Sequence, residues 1–296
     1  MKVTSLLKLL LLGAIWGLSF ILMGEIRPTL GHFVVSTVRC LLAGLLLAGY
    51  LLISRGQMQW KQHAKHYLVV GLLQCGILFA LFPYAIEVLP PPYAAILNTT
   101  SALFGVLLSG IFLKERITTQ KILGVGLAIF GVAFVVRLGS STLPGHIGWA
   151  VVACLVATLC YASAGIYVKK FAAHIPPVSL AGGSHLLSGL IFLPLAATYP
   201  PMHAITVHVA LCALALAAIC SAVAFLLFYN LIREIGPSKA LSVGFLIPVF
   251  TMVWSFVFKT SVISGKMLLG AALTLLGVAL VVLPPVLGFF RKTQRA

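Results

Sequence analysis

Residues 82–136, FPYAIEVLPPPYAAILNTTSALFGVLLSGIFLKERITTQKILGVGLAIFGVAFVV, lie over residues 228–282 without a gap when the chain is slid along itself by 146 positions. Sixteen of the fifty-five aligned positions are identical. They include Phe82 with Phe228, Pro91 with Pro237, Ala94 with Ala240, Phe104 with Phe250, Ser109 with Ser255 and Phe112 with Phe258. Leu123 and Gly124 fall on Leu269 and Gly270, and the Gly131, Val132, Ala133 run falls on Gly277, Val278 and Ala279. A composition rich in few residue types inflates chance matches, but glycines, prolines and aromatics coinciding in one frame mark two copies of one unit.

The copies differ in where their charges lie. At the end of the long apolar run the first has Lys114, Glu115 and Arg116, and the second has Thr260, Ser261 and Val262. At the other end Glu87 and Tyr93 stand where the second copy has Arg233 and Lys239. Cations have moved from one end of the unit to the other. Two copies that sit upside down in a membrane, each keeping Lys and Arg on the cytoplasmic side, require that exchange.

Composition excludes a soluble domain. Of the 296 residues 61% are apolar and 8% charged, against a charged share of about 25% in soluble chains. The net charge of +16 comes in small groups between apolar runs rather than as a stripe, so membrane topology explains it and nucleic acid does not. The six cysteines all fall inside apolar runs with no CxxC or Cys/His grouping, and there is no Asp, so no metal or cofactor is expected. No HExxH or GxSxG occurs, which leaves an intramembrane enzyme as the weaker alternative to a carrier.

About 20 apolar residues cross the hydrocarbon core. The chain supplies ten such runs, near 5–24, 31–53, 67–88, 91–113, 119–137, 147–168, 178–198, 205–231, 237–258 and 268–289. The expected fold is therefore all-α, ten transmembrane helices as two inverted five-helix repeats, residues 1–145 and 146–296. Lys2 and Lys8 flank the first run as in a secretory signal, but no small-x-small cleavage site follows, so it is expected to be retained. With the N-terminus inside, fifteen cations fall on the cytoplasmic side and only Arg27, Arg137, Lys259 and Lys266 outside, Arg39 lying within a span. That bias puts both termini in the cytoplasm.

Several groups resemble the EamA family of the drug/metabolite transporter superfamily. They are Trp16-Gly17 with Ser19-Phe20, Arg39 followed by Leu-Leu-Ala-Gly, the FPYAIEVLPP run and Leu113-Lys114-Glu115-Arg116-Ile117-Thr118, with Gly236-Pro237 and Pro248-Val249-Phe250 in the second half. The chain departs from that pattern at Ser261, where the second repeat often keeps a Glu, and at Ala102, where a Pro is common. The resemblance implies a ten-helix secondary transporter of a bacterial inner membrane, often an exporter of amino acids, with nucleobase, nucleotide-sugar or lipid-type cargoes as alternatives.

Between inverted repeats, a substrate site is expected near mid-bilayer. Candidate binding residues are the mid-span polar and aromatic side chains Trp16, Ser19, Gln74, Tyr84, Asn98, Thr99, Tyr161, His185, Tyr229 and Trp254. Arg39 is the costly intramembrane charge, either a structural cation bonded to neighbouring carbonyls or the counter-charge of a substrate carboxylate. His185 follows Ser184, which aligns with Arg39 at an offset of 145. Pro248 is the expected gating bend. No carboxylate falls at mid-span, so the expected substrate is neutral, zwitterionic or weakly anionic and is carried by a monomer embedded in the lipid bilayer.

Overall fold

A computed structural model describes residues 3–114, 118–120, 122–124, 126–127, 130–131, 147–235, 240–241, 243–260 and 265–282. Glu115, Arg116, Lys121, Arg137, Gly236, Pro237, Lys239, Ser261 and the residues after 282 lie outside the described residues, and with them parts of the fifth, ninth and tenth expected spans. Among the described residues every regular element is a helix, since lipid offers backbone groups no partner and a helix satisfies them internally. The elements are α1 (Val3–Ile53), α2 (Trp60–Ile86), α3 (Pro91–Leu113), α4 (Ile147–Ala172), α5 (Pro177–Thr198), α6 (Val207–Ile235), α7 (Val243–Phe258) and α8 (Gly265–Val282). The first six are long and apolar enough to cross a membrane. Their exposed positions are apolar, as at Leu45, Trp149, Leu211 and Phe256, while Arg39, Gln74 and His185 are buried. This is a multi-pass membrane protein.

At 51 residues α1 is too long for one crossing, and it turns back at Gly31. There φ is 71° and ψ 164°, a conformation open to glycine and strained for other residues. The two arms lie side by side, because Arg39 Nη1 reaches Met23 Sδ at 3.6 Å across sixteen residues of sequence. The amides of Met202 and His203, after α5, donate to the Thr29 carbonyl and fix this corner.

The second arm of α1 crosses α5 at its glycines. A Cβ on Gly44 would lie 2.6 Å from Leu186 Cγ, and one on Gly189 would lie 2.6 Å from Leu41 Cδ2. Gly182 meets Leu47 further along. One index rises as the other falls, so the helices run antiparallel. At an offset of 145, Leu41 and Gly44 become Leu186 and Gly189. Each glycine therefore receives the leucine that is the counterpart of its own helix's leucine, the reciprocity of contacts across a two-fold axis.

Both helices that follow these arms widen into a π turn at matching places, Gly71–Gly76 in α2 and Ala218–Val223 in α6. Pro248 is buried inside α7, and the helix runs on through it. Irregular backbone occurs at these two π turns, at a third over Val168–Ala172 in α4 and at Thr99 in α3.

Candidate functional site

A cavity with about 450 Å³ of empty space opens among α1, α2, α3, α4, α6 and α7. Trp16, Phe20, Phe79, Phe82, Tyr161 and Phe225 form its aromatic walls, with Met23, Leu78 and Ile247 between them, and its polar groups are Arg39 and Asn98. Residues that correspond between the halves meet here. Trp16 and Tyr161, 145 apart, stand 6.1 Å apart and nearly perpendicular. Phe79 and Phe225, 146 apart, stand 6.0 Å apart. Edge-to-face pairs of this kind are favoured by the ring quadrupoles.

Arg39 is 3% exposed. A guanidinium in an apolar interior must find partners, and the π turn of α6 supplies them. There the Ser221 hydroxyl donates to the Leu216 carbonyl five residues back and accepts from Arg39 Nε at 2.6 Å. The Cys220 carbonyl accepts from Nη2 at 3.1 Å. The guanidinium carbon lies 3.6 Å from the Phe79 ring centre, a cation–π contact, and such contacts contribute about 2 kcal/mol when desolvated. Among the described residues no carboxylate pairs with it: Glu87 binds Arg27 and His32, Glu25 lies 3.9 Å from His208, and Glu234 binds Lys8 and Ser5.

His185 stands one residue past Ser184, the counterpart of Arg39 at the 145 offset of the α1–α5 crossing. Its ring packs on Phe225 at 4.8 Å, as Arg39 packs on Phe79, and it faces Cys75 Sγ at 3.6 Å in the π turn of α2, as Arg39 faces Ser221 in that of α6. Its Nδ1 also lies 2.8 Å from the Ala181 carbonyl. His185 is fully buried behind the aromatic wall and does not line the cavity.

Of the residues singled out from sequence, Trp16, Arg39, Asn98 and Tyr161 line the cavity. Thr99 is turned back onto the Ile96 carbonyl, and Thr100 binds Leu97 and, at 2.9 Å, Thr158, which leaves Asn98 as the member of that polar trio at the cavity. Ser19 is buried but contributes no lining surface. Tyr229 donates to Gln74 Oε1 at 3.1 Å, tying α6 to the π turn of α2. Tyr84 stacks on His32 beside Glu87, away from the cavity. Trp254 donates to the Ala14 carbonyl at 3.0 Å and stacks on Phe258, away from it too. Phe20, Phe79, Phe82, Phe225, Met23 and Ser221 were not singled out. The signal for three of them was the repeat itself, since Phe79 and Phe82 recur as Phe225 and Phe228.

A second hollow, with about 830 Å³ of empty space, lies where α4, α5 and α6 come together, lined by Lys169, Tyr229 and Arg233 among apolar groups. Phe228, stacked on Tyr161 at 5.6 Å and against Trp16 at 5.2 Å, joins Tyr229 and Phe225 in an aromatic partition between the two spaces.

A multi-pass helical protein with a polar-and-aromatic cavity buried in its helix core belongs to the class of membrane transporters. The model of the EamA-like transporter family matches twice, over residues 3–137 and 148–283. The chain is a member of that family. Its relatives include the "uncharacterized transporter YyaM" of Bacillus subtilis (strain 168), 28% identical over 85% of this chain and 86% of the relative. Protein PecM of Dickeya dadantii (strain 3937) is 24% identical over 86% and 84%. A solved crystal structure shares the fold with a TM-score of 0.71 over 99% of each chain at 16% identity.

Proposed function

We propose that the protein is a secondary transporter built as two inverted five-helix repeats, residues 1–145 and 146–296, ten spans in all, with both termini in the cytoplasm of a bacterial inner membrane. The observation that carries this reading is the reciprocal, antiparallel crossing of α1 and α5 at Leu41, Gly44, Leu186 and Gly189, with the cavity between matching residues of the two halves. Halves of opposite sense can exchange their two conformations, which opens a fixed site to one side and then the other.

The cargo is a small metabolite with an aromatic or apolar body, neutral, zwitterionic or weakly anionic; amino acids lead that range and export is the expected direction. Trp16, Tyr161, Asn98 and Arg39 are its contacts. The chain works as a monomer without a cofactor and without chemistry on its cargo. A nucleotide-sugar cargo is less well served, because several cations would be needed where the cavity offers Arg39 alone. Among the described residues no carboxylate lines the cavity, and movement is not driven through a buried Glu. Uptake of the twenty amino acids into proteoliposomes, with and without an imposed pH gradient, tests the reading. Saturable uptake of at least one aromatic amino acid is expected. Exclusion of all twenty would remove the amino-acid assignment, and a strict pH-gradient requirement lost in Glu87→Gln would overturn the coupling assignment.

A further inference from the structure

We infer that the central cavity is a site for singly charged organic anions, and that within the range of cargoes above it prefers an aromatic or apolar carboxylate without an ammonium group to the corresponding zwitterion. This rests on the cavity being the transport site.

The charge balance of the cavity is one-sided. Among the described residues Arg39 carries the only formal charge on its wall. Of the five N–H donors of a guanidinium, Nε is given to Ser221, one on Nη2 to the Cys220 carbonyl and one on Nη1 to the weak acceptor Met23 Sδ. One hydrogen on each terminal nitrogen remains to donate to a carboxylate, a charge-assisted hydrogen bond. Among the described residues the cation has no acidic partner, because Glu25, Glu87 and Glu234 are engaged elsewhere. Held away from water, an unpaired guanidinium attracts an anion far more strongly than one at a surface.

Among the described residues no acidic group awaits a substrate ammonium, which meets only aromatic faces and neutral acceptors. No Glu lines the wall, there is no Asp in the chain, and the neutral acceptors there are the Asn98 amide and the Tyr161 hydroxyl. The repeats make the one-sidedness plain. At the counterpart of Arg39 the second half has the neutral Ser184, and the His185 beside it is buried behind Phe79 and Phe225 rather than facing the cavity. A two-fold arrangement of sites has thus kept one cation on its wall and acquired no anion, so an amino acid would leave its ammonium desolvated in a cavity of positive potential.

The test uses the full chain in lipid nanodiscs and four probes sharing one phenyl-alkyl body: 3-phenylpropionate, L-phenylalanine, 3-phenylpropanamide and 3-phenylpropylamine, titrated by calorimetry at pH 7. 3-Phenylpropionate should bind at least about tenfold tighter than L-phenylalanine, with the amine weakest. Arg39→Lys should keep that order, and Arg39→Met should bring anion and amide to within about twofold of each other. L-phenylalanine binding as tightly as 3-phenylpropionate in the wild-type chain overturns the inference, whether or not the variants fold. So does an anion preference that survives in folded Arg39→Met. The transporter reading fails separately: if the anion binds in the expected order but neither it nor any amino acid crosses a proteoliposome membrane, the charge assignment stands and transport does not.

Discussion

Arg39, on the second arm of α1, and His185, on α5 one residue past Ser184, the counterpart of Arg39 at an offset of 145, each reach across to the π turn of the opposite half. Arg39 meets Ser221 and the Cys220 carbonyl; His185 meets Cys75. Each packs on the phenylalanine 40 residues further along its own half, Phe79 or Phe225. The scaffold is the same and the chemistry is not. One half presents a permanent cation to the cavity, and the other sets an imidazole, held by the Ala181 carbonyl, one residue past the equivalent place. The repeated geometry thus carries, among the described residues, a single charged group on the shared wall.

The comparison breaks most visibly at the two residues themselves. Arg39→Met should lower carboxylate uptake into proteoliposomes by about 10- to 100-fold, the weight of hydrogen bonds to a charged group. His185→Gln should change it by less than about threefold. Equal losses would mean that the two positions do the same work.

The helix crossing offers a second comparison. Gly44→Val and Gly189→Val each place a branched side chain against a backbone nitrogen, that of Leu186 at 2.8 Å or of Leu41 at 2.9 Å. Each should destabilise the detergent-solubilised protein by about 1 to 3 kcal/mol in thermal unfolding, overpacking of this kind costing that much. The two effects should be alike, and a severe effect at one glycine with none at the other would refute the reciprocal crossing.

Trp16 and Trp254 form a third pair. Trp16→Leu should weaken binding of an aromatic probe by about 0.5 to 1.5 kcal/mol, the worth of aromatic pairing beyond area. Trp254→Leu should leave it unchanged, since that ring bonds Ala14 and stacks on Phe258. The smallest effect is expected at the Tyr229 to Gln74 bond, where a double-mutant cycle of Tyr229→Phe and Gln74→Leu should return a coupling of about 0.6 kcal/mol.

Much of this architecture is legible in the sequence. The apolar runs, the glycine and aromatic coincidences at one offset and the migrating cations give the class and point to an inverted pair. Four of the singled-out side chains do line the cavity. What escaped has physical causes. The π turns of α2 and α6 carry no motif, yet one of them presents Ser221 and the Cys220 carbonyl to Arg39 across 182 and 181 residues of sequence. Phe79 and Phe225 were passed over because phenylalanine is an ordinary lipid-facing residue, and only its recurrence at the repeat offset sets these two apart. Trp254 lies outside the cavity's lining, bonded to Ala14 and stacked on Phe258, and its residue type alone does not distinguish it from Trp16.

Opposite orientation of the halves is the point on which alternating access depends, and the loops after α1 and α5 report on it. Gln57 and His203 are 146 residues apart and occupy corresponding connections. In a cysteine-free background, Gln57→Cys should react with a membrane-impermeant thiol reagent only from the cytoplasmic face, and His203→Cys only from the opposite face. Labelling of both from the same side would mean that the halves run in the same sense, and the transport cycle derived from their inversion would be wrong.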